Sequence, residues 1–137
     1  RRHTRSGPQS RGLGDVYKRQ SHDLFKSIMN EQYGFGGMLT IDVGSLKKAN
    51  ELMEMMQNKN LGYLAVSLGF YKTLFSAPGT STSSEIPIEE QKAMGLTDGL
   101  IRFSIGLDAD IDRTYYMMRE CMVELNILDP LGRKIPV

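Results

Sequence analysis

The chain has 137 residues, 40% of them hydrophobic and 24% charged, with a formal net charge of +1. Those figures describe one ordinary globular domain, and no apolar run approaches the roughly 20 residues of a membrane span. The basic N-terminus is not followed by an apolar signal-peptide stretch, the single Cys121 excludes an internal disulfide and fits a reducing, cytoplasmic setting, and His3 and His22 have no partners at metal-ligand spacing.

Residues 1–20, RRHTRSGPQSRGLGDVYKRQ, show no apolar periodicity and carry six Lys/Arg against one acidic residue, Asp15. One reading is a basic arm able to touch nucleic acid. Another is favoured by Asp15-Val16-Tyr17-Lys18-Arg19-Gln20, which back-translates, with one choice of codons, to GAT GTG TAT AAG AGA CAG. That string matches a transposon-end adapter used in preparing DNA for sequencing. Residues 1–20 are therefore expected to be a non-native segment, with the native frame starting near Ser21 and belonging to the end of a longer protein. Without them, 11 basic and 15 acidic side chains remain of the 17 and 16 in the whole chain, a formal charge of −4. The case for a nucleic-acid partner then disappears, and nothing points to a membrane.

From Ser21 the pattern becomes regular. His22 to Met29 reads as a helix, with Leu24, Phe25, Ile28 and Met29 on one stripe and Ser21 as its cap. The glycines of Tyr33-Gly34-Phe35-Gly36-Gly37 end it; their spacing is not that of a dinucleotide fingerprint. Met38 to Val43 alternates like a half-buried strand, with Leu39, Ile41 and Val43 on one face. Ser45 is placed to cap a second helix whose apolar side holds Leu46, Ala49, Met53 and Met56, the methionines acting as core filler. Asn58-Lys59-Asn60 and Gly62 stop it. Tyr63 to Leu68 is nearly all apolar and predicts a central strand covered on both sides.

Gly69 to Glu85 is long, irregular and rich in Gly, Ser and Thr around Pro78, with one turn of helix suggested at Tyr71–Phe75. Gly79-Thr80-Ser81-Thr82-Ser83-Ser84 lacks the ending of a P-loop. Pro87 to Met94 reads as a short helix with Pro87 in its first turn and Gly95 at its left-handed end. Asp108 or Asp110 caps a last helix with Ile111, Tyr115, Met118, Met122 and Leu125 at helical spacing, and Cys121 sits in it as a small buried or half-buried residue, not a nucleophile. Residues 129–137 form a tail.

Gly99-Leu100-Ile101-Arg102-Phe103-Ser104-Ile105-Gly106 is the most informative stretch. It reads as a strand between two glycines. Ile101, Phe103 and Ile105 share a face suited to a core, and Leu100, Arg102 and Ser104 share the other. Arginine is permanently charged, and its planar fork matches a carboxylate with two parallel hydrogen bonds. Read alone, the strand leaves two roles open for Arg102: a carboxylate-binding residue, or an arginine on the solvated face of an edge strand. Three strands with helices able to cover one face predict an α+β domain with a small mixed or antiparallel sheet.

The words Phe35-Gly36-Gly37-Met38-Leu39, then Leu64-Ala65-Val66-Ser67-Leu68-Gly69, then the proline–threonine loop, then Gly95-Leu96-Thr97-Asp98-Gly99-Leu100-Ile101-Arg102-Phe103-Ser104-Ile105-Gly106 occur in a telling order. In order and spacing the chain resembles the C-terminal domain of the Cys/Met-metabolism pyridoxal-phosphate (PLP) enzymes. That family includes methionine gamma-lyase, cystathionine gamma-lyase, cystathionine gamma-synthase and O-acetylhomoserine sulfhydrylase. The resemblance covers Ser21 to about Leu125 and does not separate these members.

The resemblance implies a fold-type I arrangement, in which residues 21–128 form a small substrate-carboxylate domain packed on a larger cofactor domain. It implies that Arg102 forms the main fork for the substrate α-carboxylate, that Ser67 helps hold it, and that Thr82 lies near the same group. It implies PLP as cofactor and a sulfur amino acid or homoserine ester as substrate. The chemistry would be C–S lysis or transsulfuration by γ-elimination or γ-replacement, in a homotetramer. The Schiff-base lysine and the other cofactor ligands of the family lie upstream of the part present here, so this chain is expected to hold no PLP and to turn over nothing by itself. Many members read His-Pro-Ala-Ser-Met-Thr-His where this chain reads Ala77-Pro78-Gly79-Thr80-Ser81-Thr82-Ser83, so both histidine positions differ, which bears on substrate preference. The competing readings are an autonomous amino-acid-binding or regulatory α+β module without catalysis, and an interaction fragment that uses its methionine-rich helix faces.

Overall fold

A computed structural model describes residues 22–32, 34–81 and 83–135. The adapter-like segment 1–20, the Ser21 cap and Thr82 lie outside the described residues. In chain order the elements are α1 (His22–Ile28), β1 (Met38–Asp42), α2 (Leu46–Asn58), β2 (Tyr63–Leu64), β3 (Leu74–Ser76), a 3-10 turn (Pro78–Thr80), α3 (Ile88–Met94), β4 (Leu100–Ser104) and α4 (Ile111–Glu124). The strands form one mixed sheet in the order β1-β4-β3-β2. β4 pairs antiparallel with β1 and with β3, and the short β2 pairs parallel with β3.

The core lies on one face of this sheet. Ile41, Phe75, Ile101 and Phe103 point to it and meet Ala49, Leu52, Met53 and Met56 of α2 and Cys121 and Met122 of α4. The alternation expected for β1 and β4 holds, and it explains why both helices settle on the same side. α2 begins as its sequence requires: Ser45 is extended, and its hydroxyl accepts from the Lys48 N–H at 3.3 Å. Asp110, not Asp108, caps α4, accepting from the Arg113 N–H at 2.9 Å. Gly95 ends α3 with φ +79°, a left-handed conformation that favours glycine.

Two expectations are corrected. Tyr63–Leu68 is not a covered central strand: only Tyr63 and Leu64 pair, at the sheet edge, and Val66 and Leu68 are more than half exposed. The inner strand is instead Leu74–Ser76, where one turn of helix was expected. An unbroken apolar run carries no period that tells a covered strand from a surface segment, and a three-residue strand is too short to show alternation. Its place is decided by long-range pairing with β4, which buries all three of its residues.

The apolar stripes are also only partly used. α4 packs through its C-terminal half, while Ile111 and Tyr115 stay exposed. On α1, Leu24 and Ile28 are exposed, and Phe25 stacks on Phe35 with ring centroids 5.7 Å apart. Residues 129–135 fold back on the domain: the Ile135 N–H donates to the Ile127 carbonyl, and Lys134 Nζ donates to the Asp42 carbonyl at 3.2 Å. Among the described residues no helix is long and apolar enough to cross a membrane.

Candidate carboxylate-binding site

β4 is the inner strand that carries Arg102, and the glycines on either side of it have steric causes. A Cβ on Gly99 would lie 2.5 Å from the Gly44 nitrogen, and one on Gly106 would lie 2.3 Å from the Lys72 carbonyl carbon. The β1–α2 turn and the segment before β3 therefore close directly onto the two ends of the strand. That clamps β4 at both ends and holds its middle residue in register between Thr40 of β1 and Ser76 of β3.

Residues 65–73 cross the sheet face opposite the helices. The Gly69 N–H donates to Ser104 Oγ at 3.2 Å, the Leu107 N–H donates to the Tyr71 carbonyl at 2.8 Å, and the Gly106 N–H donates to Thr73 Oγ1 at 3.0 Å. Under this crossover the half-buried Arg102 side chain reaches the chain just beyond β2. Its Nη2 donates to the Val66 carbonyl at 2.9 Å and makes a longer contact, 3.4 Å, with the Ser67 carbonyl. Arg102 Nε is buried without a hydrogen-bond partner. The ion pairs among the described residues are Lys47–Glu51, Lys59–Glu124, Lys92–Glu89 and Arg133–Asp129, so no carboxylate there neutralises Arg102. A partly desolvated guanidinium bound only by neutral carbonyls retains donors and a full charge for an anion.

Of the three residues expected at the site, the structure brings Arg102 and Ser67 together, Ser67 exposed and its carbonyl against the guanidinium. Thr82 lies outside the described residues. Its chain neighbours are held: Ser81 Oγ donates to the Ala77 carbonyl at 2.7 Å and the Ser83 N–H to the Pro78 carbonyl at 2.9 Å. Beside them is a shallow cleft of about 250 Å³, whose lining includes Asn50, Met53, Val66, Ser76, Ala77 and Ser81. Ser76 escaped the reading of the sequence. Its only signal is its position opposite Arg102, and that depends on a register between β3 and β4 that the sequence does not display.

The cleft lining contains no lysine for a Schiff base, no carboxylate for a pyridinium nitrogen and no aromatic ring to stack on. Those residue types, the ones a PLP site uses, are thus missing from the cleft lining among the described residues. Among the described residues no group of three or more His, Cys, Asp or Glu is arranged to hold a metal. Cys121 is fully buried, and desolvation pushes its thiol pKa up, which favours the protonated form over a nucleophilic thiolate.

Comparison with known proteins gives the family. The family model described as Cys/Met metabolism PLP-dependent enzyme matches residues 15–113. The chain belongs to that family. The match begins inside the N-terminal segment that resembles adapter sequence. Methionine gamma-lyase of Arabidopsis thaliana is 40% identical over 105 residues, covering 76% of this chain and 24% of that protein. Cystathionine gamma-lyase of Bacillus subtilis (strain 168) is 38% identical over 87 residues, covering 64% of this chain and 21% of that protein. A crystal structure of a Campylobacter jejuni protein named as an O-acetylhomoserine (thiol)-lyase, bearing N'-pyridoxyl-lysine-5'-monophosphate, matches with a TM-score of 0.65 at 27% identity. It covers 78% of this chain and 24% of that one. This chain therefore spans about a quarter of the length of the relatives it matches. The α+β fold and membership of a PLP-dependent family agree with the sequence reading.

Proposed function

We propose that this chain contributes the substrate α-carboxylate site of a PLP-dependent enzyme of sulfur amino acid metabolism. Arg102 forms the fork that takes both carboxylate oxygens, and the Ser67 hydroxyl supplies a neighbouring donor; Thr82, the third residue that the family resemblance implies, lies outside the described residues. The observation that carries this reading is the half-buried Arg102 guanidinium, fixed by the Val66 carbonyl and unmatched by any described carboxylate. A structural arginine in such a place normally has an acid beside it, because an unpaired charge is costly to desolvate.

The cofactor and its lysine reside in the larger part that the family's members carry beyond this span. PLP supplies the electron sink for breaking bonds at the amino acid's carbons. This chain's residues bind and orient the carboxylate, so that the remaining bonds of the substrate present themselves to that sink. The overall activity is a C–S lyase or transsulfuration reaction, by γ-elimination or γ-replacement, on a sulfur amino acid or homoserine ester. The enzyme acts in the cytoplasm as a homotetramer. The 137 residues by themselves are catalytically inactive.

In the full-length enzyme bearing this segment, Arg102→Ala raises KM by at least about tenfold, the factor that loss of a charge-assisted hydrogen bond produces. An unchanged KM removes Arg102 from the site. Mixed with PLP alone, the 137-residue chain develops no absorbance of lysine-bound cofactor, and the appearance of that band contradicts the division of labour. Micromolar binding of methionine or a homoserine ester by the chain alone favours the autonomous binding module instead.

A further inference from the structure

Among the described residues, the buried side-chain nitrogen and oxygen atoms without a hydrogen-bond partner are Arg102 Nε and Ser76 Oγ. They belong to one cross-strand pair, Ser76 opposite Arg102 in the antiparallel β3–β4 ladder. Side chains of directly opposed residues share a face, with Cβ atoms roughly 4.5–5.5 Å apart. One atom is an obligate donor and the other a hydroxyl that accepts.

The path of the arginine strengthens the case. Arg102 starts on β4 and ends on the Val66 carbonyl, just past β2, and β3 lies between those strands. The side chain and its hydrogen bond to Val66 together therefore span about two strand spacings, roughly 9–10 Å, over the face on which Ser76 stands. Nε falls in the middle of that crossing. Ser76 is 4% exposed and also lines the cleft beside the crossover.

We propose that Ser76 is a positioning residue for Arg102: by turning about its Cα–Cβ bond, its hydroxyl accepts the Nε–H bond as the arginine crosses β3. Ser76 fixes the stem, the Val66 carbonyl fixes Nη2, and the guanidinium is held in one plane with its outer edge free for a ligand. Serine serves because it is small enough to let the arginine pass and still carries an acceptor. The consequence for ligand orientation rests on the carboxylate reading above, whereas the Ser76–Arg102 contact does not depend on it.

The test is proton exchange at arginine Nε–H, followed by nitrogen-15 NMR of the 137-residue chain, with the Arg102 signal assigned through its loss in Arg102→Lys. In the unmutated chain this proton exchanges at least about tenfold more slowly than that of the exposed Arg113, the protection that one charge-assisted hydrogen bond confers. Ser76→Ala removes the acceptor and raises the Arg102 rate about tenfold, while Ser76→Thr, which keeps a hydroxyl, preserves the slow rate. Equal Arg102 rates in the unmutated chain and Ser76→Ala overturn the proposal. So does an Arg102 proton in the unmutated chain that exchanges as fast as that of Arg113, a comparison that needs no variant to fold. Titration with L-methionine is read separately: slow exchange without any ligand response defeats the carboxylate reading and leaves the pair standing.

Discussion

The two faces of the sheet are built to different standards of completeness. On the face under α2 and α4, Phe75, Ile101, Phe103, Leu52 and Met56 are buried to within two per cent of full exclusion from solvent. On the opposite face stand Thr40, Arg102, Ser76 and Ser104, roofed by an irregular crossover and holding both orphaned polar atoms, Arg102 Nε and Ser76 Oγ. The first face satisfies itself, as close-packed interiors do. The second leaves a charge without a counter-charge, and buried polar groups are left this way chiefly where something else completes them. The contrast puts the packed core on one side of β4 and the proposed recognition face on the other, in alternating residues of one five-residue strand.

That division is open to attack from both sides. Phe103→Ala strikes the packed face alone and costs about 3–5 kcal/mol of stability, read by chemical denaturation; a loss under 1 kcal/mol would mean that this face is not the core. Gly106→Ala pushes a Cβ onto the backbone of residues 71–73, which cannot retreat as a flexible side chain would. It costs about 3 kcal/mol and loosens the crossover, so amide exchange at Gly69 and Leu107 accelerates with the loss.

Arg102→Met sharpens the contrast most. It changes stability by no more than about 1 kcal/mol, because the lost hydrogen bonds are offset by removal of a partly desolvated charge that no described carboxylate neutralises. Carboxylate binding nevertheless disappears. A stability loss as large as that of Phe103→Ala would turn Arg102 into a structural residue.

The smallest effect lies away from both faces. The Arg133 N–H and guanidinium hold the Asp129 carboxyl below its ordinary pKa, so the tail turn's contribution is complete above the usual aspartate range. It is lost as pH falls through the folded-state value. An NMR titration should follow Asp129 to a midpoint below 3.8, with the signals of Phe103 and Arg102 unaffected through that step.

What the sequence disclosed follows from which features are local. The caps at Ser45 and Asp110, the glycine end at Gly95, the alternation of β1 and β4 and the apolar face of α2 all depend on near neighbours, and all are present. The role of Leu74–Ser76 was hidden because three residues show no period and their burial comes from β4, far along the chain. Val66 and Leu68 misled because their apolar character suggests cover that the described chain does not provide. The same holds for Ile111 and Tyr115, which continue the α4 stripe past the point where the domain has anything to pack on it. Arg102 was legible as an anomaly from its place in a strand. Its anchoring to Val66, and Ser76 beneath it, emerged only from the sheet order.

The most direct test of the central claim compares two ligands that differ in one group. L-Methionine and L-methioninamide share the amine and the side chain, and only the first carries a carboxylate. Titrated into the 137-residue chain and followed by nitrogen-15 NMR, L-methionine is expected to give saturable shifts in the millimolar range at Arg102 Nε, Ser67 and the residues around Ala77. L-Methioninamide is expected to leave those signals where they are. Equal responses to the two ligands, or an L-methionine response that survives in Arg102→Met, would contradict the assignment of Arg102 as a carboxylate fork.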